Sequence, residues 1–256
     1  MLEYIKKQKG IVKFMKIQYF ENYAKMSDFA AGVVADAMRS AQKNKKEKFV
    51  LGLPTGDTPV GMYSKLAEMN KSGELDFSGV VTFNLDEYYP IKKDNPQSYD
   101  KFMHDKFFGK INIDKKNANI PDGEALDAVL QCAEYEKKIE SAGGIDLMVI
   151  GVGANGHIGF NEPDDFLIPD THVAKLSENT KNQNKRFFDS VGEVPELALT
   201  MGMGSILKAK KILLLVSGES KKEVFKKFLK GEITTQVPVS FLHLHADVTV
   251  LCDIII

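Results

Sequence analysis

The chain has 256 residues, 43% of them apolar and 27% charged, ordinary globular values that exclude a disordered, collagen-like or coiled-coil protein. Its 34 basic and 35 acidic side chains leave a formal charge of −1, so no broad positive field draws in nucleic acid, although one local basic site for a small anion fits that balance. Two cysteines, Cys132 and Cys252, are too few and too far apart for a disulfide framework or a zinc knuckle, and read as buried thiols of a reducing compartment.

Residues 1–14 carry lysines but neither the apolar region nor the cleavage site of a secretory signal, and read as an extension ahead of one domain over 15–256. No apolar stretch reaches the roughly 18–20 residues of a membrane span, so the expectation is a cytoplasmic protein with no membrane partner. The first helix is predicted over 27–43, with Ser27 as its N-cap and Phe29, Val33, Ala37 and Met38 on its apolar face. Residues 48–53 (KFVLGL) predict a buried strand, then a Pro-Thr-Gly turn and a helix over 59–69. A second strand is expected over 80–85, and Asn95-Pro96 reads as a cap with proline at the first position of a helix to 108. Residues 124–141 read as helix, 145–150 and 211–216 as strands, 219–230 as helix and 247–252 as a fifth strand.

Continuous apolar strands alternating with amphipathic helices predict a single α/β domain, a parallel sheet with helices on both faces. Such sheets bind ligands beyond the carboxyl ends of their strands, so those segments are where chemistry is sought. After Leu53 comes Pro54-Thr55-Gly56-Asp57-Thr58-Pro59, a turn into a helix start whose N–H groups suit a phosphate. It is not a Walker A loop, since GxxxxGK[ST] is absent; a plain capped turn is the alternative. After Leu85 stand Asp86 and Glu87, either a general base with its pKa raised by a like charge or a solvated acidic turn.

After Ile150, residues 151–156 match GxGxxG, and Asp170 lies near the distance of a ribose-binding acid. A dinucleotide site also needs a helix opening within the motif, and Pro163, Asp164 and Asp165 follow instead, so none is expected. What this loop offers is an amide, an imidazole and a carboxylate, Asn155, His157 and Glu162, the groups of a proton-transfer site. Arg186 lies beside two aromatic residues, and Lys221 sits near a helix start where a cation gains nothing unless an anion lies between. His243 and His245 lack a third ligand and read as structural, as does or solvated His104; no metal site is expected.

Taken in order, LGLPTGDTPVGMY, FNLDEYYP, NPQSYDKFM, GVGANGHIGFNEP, RFFD with VPELALTMGMGSIL, and VSGESK resemble the glucosamine-6-phosphate deaminase (isomerase) family from about Met15 to Asp253. The HIGFNEP segment separates that family from the related 6-phosphogluconolactonases. The resemblance implies a modified Rossmann-like fold and conversion of glucosamine 6-phosphate and water to fructose 6-phosphate and ammonia, without metal or organic cofactor. By position, Asp86 resembles the base that moves a proton between C2 and C1, and His157 the group that opens the sugar ring, supported by Glu162 and Asn155. Thr55, Gly56, Asp57, Thr58, Arg186 and Lys221 resemble the phosphate site.

Three departures stand out. Asn155 replaces a common aspartate, Asp57 replaces a serine or glycine, and His172 and Ala174 stand where regulated hexamers carry basic residues. A monomer or small homo-oligomer without activation by N-acetylglucosamine 6-phosphate is therefore expected. DEYYP in place of DEYVG leaves a galactosamine 6-phosphate substrate open. A non-catalytic sugar-phosphate sensor is the other alternative, disfavoured by the set Asp86, His157 and Glu162.

Overall fold

The structure is a computed structural model that describes residues 15–44, 46–176 and 194–255. Seven strands form an all-parallel sheet: β1 (Lys16–Tyr19), β2 (Phe49–Leu53), β3 (Val80–Asn84), β5 (Ala118–Asn119), β6 (Leu147–Gly151), β9 (Ile212–Val216) and β10 (Val248–Cys252). A second, antiparallel sheet holds β4 (Asp86–Tyr89), β7 (His172–Lys175) and β8 (Leu197–Thr200), with β8 in the middle. Strand order in the large sheet is β1-β10-β9-β6-β2-β3-β5. The five expected strands are its centre; the two edge strands and the small sheet are additions.

Helices α1 (Tyr23–Lys43), α2 (Val60–Lys71) and α3 (Tyr99–Lys106) cover one face of the large sheet. Helices α4 (Ala128–Ser141), α5 (Met203–Leu207) and α6 (Lys222–Leu229) cover the other. The strand pleat splits each apolar run between these two cores: Leu213 and Leu215 of β9 face α1 and α2, while Ile212, Leu214 and Val216 face α4 and α6. This two-sided burial is why the strands carry no polar alternation.

Several boundaries differ from expectation. Asn22 caps α1, its side chain accepting from Lys25 N at 3.0 Å; Ser27 lies buried inside the helix. The buried stripe is Met26, Ala30, Val34 and Met38, and Phe29 is 39% exposed. Of the expected face, Met38 is buried and Val33 and Ala37 pack partly buried against the core, so Phe29 is the residue that departs. Asn95 closes a turn by accepting from Gln97 N at 2.8 Å, and Ser98 caps α3 by accepting from Lys101 N at 3.0 Å. Asp127, taking Val129 N and Leu130 N at 2.9 Å, starts α4 later than Glu124. Residues 1–14 lie outside the described residues.

The largest difference is at Asp86-Glu87. These residues form no solvated turn: the chain leaves β3 at Leu85 and continues as β4, a buried strand of the second sheet. Pairing of Asp86 with Thr200 and Glu87 with Leu199 makes an extended strand of residues whose composition alone suggests a loop. Cys132 and Cys252 are buried free thiols, as expected.

Candidate active site

At the carboxyl ends of β2, β6 and β9 lies a cavity of about 500 Å³, bounded on its far side by the start of β4. Thr55, Gly56, Asp57 and Thr58 line it from the turn after β2, Asp86 from β4, His157 from the loop after β6, and Lys221 from the segment after β9. Asn155 and Glu162 stand behind the imidazole. Arg186 lies outside the described residues.

Asp86 is 6% exposed, and burial, followed by the charge of Glu87, pushes its carboxyl up to about 8. Glu87 is not a spare base. Its Oε1 accepts from Tyr88 N and Tyr99 N, and its Oε2 from Asp100 N, each at 2.9 Å, so it clamps the start of α3 to β4. Burial still pushes the Glu87 carboxyl up to about 7 against the pull of those three N–H groups. The phenols of Tyr63, Tyr99 and Tyr135 are raised well above their usual range, by burial first and with a contribution from the Asp86 charge.

The glycine-rich loop explains its own composition. No helix opens over residues 152–171, so the helix N-terminus that a dinucleotide fingerprint requires is not formed. The glycines make room for side chains instead. A Cβ on Gly153 would stand 2.1 Å from His157 Cε1, and one on Gly159 would stand 2.8 Å from Thr200 Oγ1 and 3.1 Å from Asp86 Oδ2. Gly159 also adopts a φ of 59°, a conformation that favours glycine.

Hydrogen bonding sets the imidazole tautomer. Asn155 Nδ2 donates to Glu162 Oε2 at 2.6 Å, so Asn155 Oδ1 is the atom facing His157, where it accepts from the backbone N–H at 3.2 Å. His157 Nδ1 lies 2.7 Å from that same oxygen and must be its donor, since an amide oxygen can only accept. Nε2 is left as the basic nitrogen. Glu162 Oε1 is also 3.5 Å from Nδ1, so its charge supports an imidazolium when one forms.

The segment after β9 is held from outside the cavity. Ser217 Oγ donates to Asp253 Oδ2 at 2.7 Å and Gly218 N to Asp253 Oδ1 at 3.3 Å, which ties the segment carrying Lys221 to the end of β10. Ser98, Tyr99, Phe102, Phe160, Ser217 and Ser220 also line the cavity. The reading of strand ends gave them no role, although NPQSYDKFM, HIGFNEP and VSGESK contain all six. Tyr89 and Pro90, which make the DEYYP departure, are not among the lining residues, and Tyr89 donates away from the cavity to Ala125 O at 2.8 Å.

The remaining histidines are structural or exposed. His245 Nε2 donates to Ala209 O at 2.6 Å while Nδ1 accepts from Asp247 N at 3.0 Å, and the His243 ring stacks on Phe228. His104 is a surface residue of α3, 64% exposed. Among the described residues, no group of three or more His, Cys, Asp or Glu could hold a metal ion.

A family model described as glucosamine-6-phosphate isomerases/6-phosphogluconolactonase matches residues 21–251. The chain belongs to this family. Within it, the chain is 54% identical to a glucosamine-6-phosphate deaminase of Thermoanaerobacter pseudethanolicus over 93% of its own length and 92% of the relative's. It is 48% identical to one of Clostridium beijerinckii, with 93% and 97% coverage. A solved structure of a monomeric glucosamine-6-phosphate deaminase superposes with a TM-score of 0.88 at 44% identity, covering 93% of this chain and 97% of that one. The 6-phosphogluconolactonase of Thermotoga maritima, at 21% identity, a TM-score of 0.74 and coverage of 93% and 99%, shares the family fold.

Proposed function

We infer that this chain is a glucosamine-6-phosphate deaminase, converting glucosamine 6-phosphate and water to fructose 6-phosphate and ammonia. The observation that carries this reading is that Asp86 and the ring of His157, far apart in the chain, border one cavity with the Thr55–Thr58 turn and Lys221. Relatives of that name at 54% and 48% identity support it across nearly the whole chain.

The phosphate is read as lying against the turn and Lys221, where helix-start amides and an ammonium make charge-assisted hydrogen bonds. This remote anchor presents the sugar carbons to Asp86 and His157. His157 Nε2 takes the proton of the anomeric hydroxyl and returns it to the ring oxygen, which opens the pyranose. Positive charge on the ring during this step is stabilised through Asn155 Oδ1 and Glu162.

Asp86 then removes the proton at C2 and delivers it to C1, while one proton of the C2 ammonium passes to the C1 oxygen, leaving an iminium at C2. Its buried carboxyl holds a proton up to about pH 8 in the empty site, and the ammonium at C2 of the amino sugar favours the carboxylate once bound. Water adds at C2 and ammonia leaves, so the net reaction is hydrolysis of a C–N bond. Each acid-base role contributes roughly 10²–10⁴ in rate. These steps use protein groups alone.

We read residues 15–256 as the catalytic domain, acting in the cytoplasm as a monomer or small homo-oligomer. The monomeric state of the solved deaminase supports that assembly. Among the described residues no helix is long and apolar enough to cross a membrane. The deciding experiment is ammonia release from glucosamine 6-phosphate by wild type and Asp86→Asn. Turnover by the wild type, and its loss in a folded variant that still binds substrate, supports the reading; a wild type that releases no ammonia overturns it.

A further inference from the structure

The turn before α2 can hold a phosphate only while its amides keep their aim. Val60 N donates to Asp57 O at 3.2 Å within it, and Tyr63 of α2 fixes its beginning by donating to Pro54 O at 2.5 Å. The centre is held from another helix. The hydroxyl of Tyr23, the first residue of α1, donates to Asp57 O at 3.0 Å and accepts from Gly61 N at 2.8 Å. A single hydroxyl thus spans the middle of the turn and the first turn of α2, with its proton and one lone pair both committed.

The approach depends on close packing of the two helix starts. Tyr23 and Ser27 lie one helical turn apart on the same face of α1. A Cβ on Gly61 would stand 2.4 Å from Ser27 Oγ and 3.1 Å from the Tyr23 hydroxyl, so the helices reach this distance because Gly61 has no side chain. Tyr23 is not among the residues that line the cavity. It therefore acts on a ligand through the backbone of Asp57 and Gly61.

We propose that Tyr23 is a positioning residue for the phosphate end of the substrate, setting the aim of the Thr55–Thr58 turn without touching the ligand. The proposal rests on the phosphate reading of that turn. A turn released from Tyr23 weakens binding of the phosphate group in ground state and transition state alike, so the loss falls on KM and leaves kcat.

The test is Tyr23→Phe, which keeps the ring and deletes the hydroxyl, with Gly61→Ala as a second variant that displaces the same contact from the other side. Ammonia release is measured against glucosamine 6-phosphate, with inorganic phosphate as a competitive inhibitor and a melting curve for each protein. Both KM and the phosphate inhibition constant are expected to rise about 10-fold, with kcat within about twofold of wild type. Unchanged KM and inhibition constants in both variants overturn the proposal, as does a fall in kcat with KM unchanged, the mark of a merely structural role. Failure of phosphate to inhibit the wild type overturns the phosphate reading of the turn itself, and the proposal with it.

Discussion

Glu162 Oε2 stands 2.6 Å from Asn155 Nδ2, and that contact decides the tautomer of a third residue. A carboxylate can only accept, so the amide must turn its oxygen toward His157, and the ring must hold its proton on Nδ1. Asn155 does without charge what a carboxylate would do with it: it orients the ring and relays the influence of Glu162.

Asn155→Asp therefore keeps the orienting oxygen and adds a negative charge beside Nδ1. The charge favours the imidazolium, so the base form of His157 appears at higher pH and the acid limb of the kcat profile, read at saturating substrate where the bound ammonium holds Asp86 as the carboxylate, moves upward by about one pH unit. Turnover at the new optimum stays within about tenfold of wild type. An acid limb that does not move, or a folded variant without activity, contradicts the relay.

Asp86→Asn is expected to lower turnover by at least 10²-fold, on the order of one acid-base contribution, while stabilising the fold. The carboxyl titrates near 3.9 in the unfolded chain and at about 8 in the folded one. Between those values the folded state holds a proton that the unfolded state has lost, so stability falls as pH rises through that window. Asparagine cannot ionise. The variant should melt higher than wild type at pH 8–9, by at least about 2–4 °C for a gain near 1 kcal/mol in a chain of this size, and the gap should close toward pH 4. Equal melting temperatures at high pH would show that Asp86 is not buried as described.

Gly159→Ala places a methyl group between Thr200 Oγ1 and Asp86 Oδ2 at a φ of 59°. The expected outcome is a loss of roughly 1–3 kcal/mol of stability and a fall in kcat of tenfold or more, on the order expected when a base is moved by about 1 Å. Thermal melts and steady-state kinetics measure the two effects separately. Wild-type kcat in this variant would remove Asp86 from the chemistry.

Ser27→Ala tests the packing of α1. The Ser27 hydroxyl is buried in the second turn of α1 with no hydrogen-bond partner among the described residues, so its removal relieves a desolvated group and improves helix propensity. A gain of about 0.5–1.5 kcal/mol in denaturant unfolding is expected, with kcat unchanged. A loss of stability would mean that the hydroxyl has a partner.

Much of the fold was legible where local chemistry and burial agree. The five central strands were readable because strands covered on both faces carry unbroken apolar runs such as Ile212–Val216. Helix starts were less readable, since several capping residues compete within a few positions, Asn22 over Ser27 and Ser98 over Asn95, and Asp127 caps α4 beyond the expected start at Glu124. Strand β4 was illegible, because adjacent acids carry the composition of a turn and become extended by pairing with β8. Within the site, the residue types at strand ends were visible, whereas Ser98 and Tyr99 enter through the clamp that Glu87 places on α3.

By itself the sequence determined the alternating α/β architecture, the glycine-rich loop without a helix behind it, and the kinds of groups available for chemistry. These follow from apolar runs, turn residues and local propensity, all written in short windows of chain. Only the tertiary structure decided that Asp86 enters the cavity from an antiparallel strand, that Asn155 turns its oxygen to His157, and that Tyr23 braces the turn after β2. Those outcomes depend on packing and hydrogen bonds between segments distant in sequence, whose energies no local window contains.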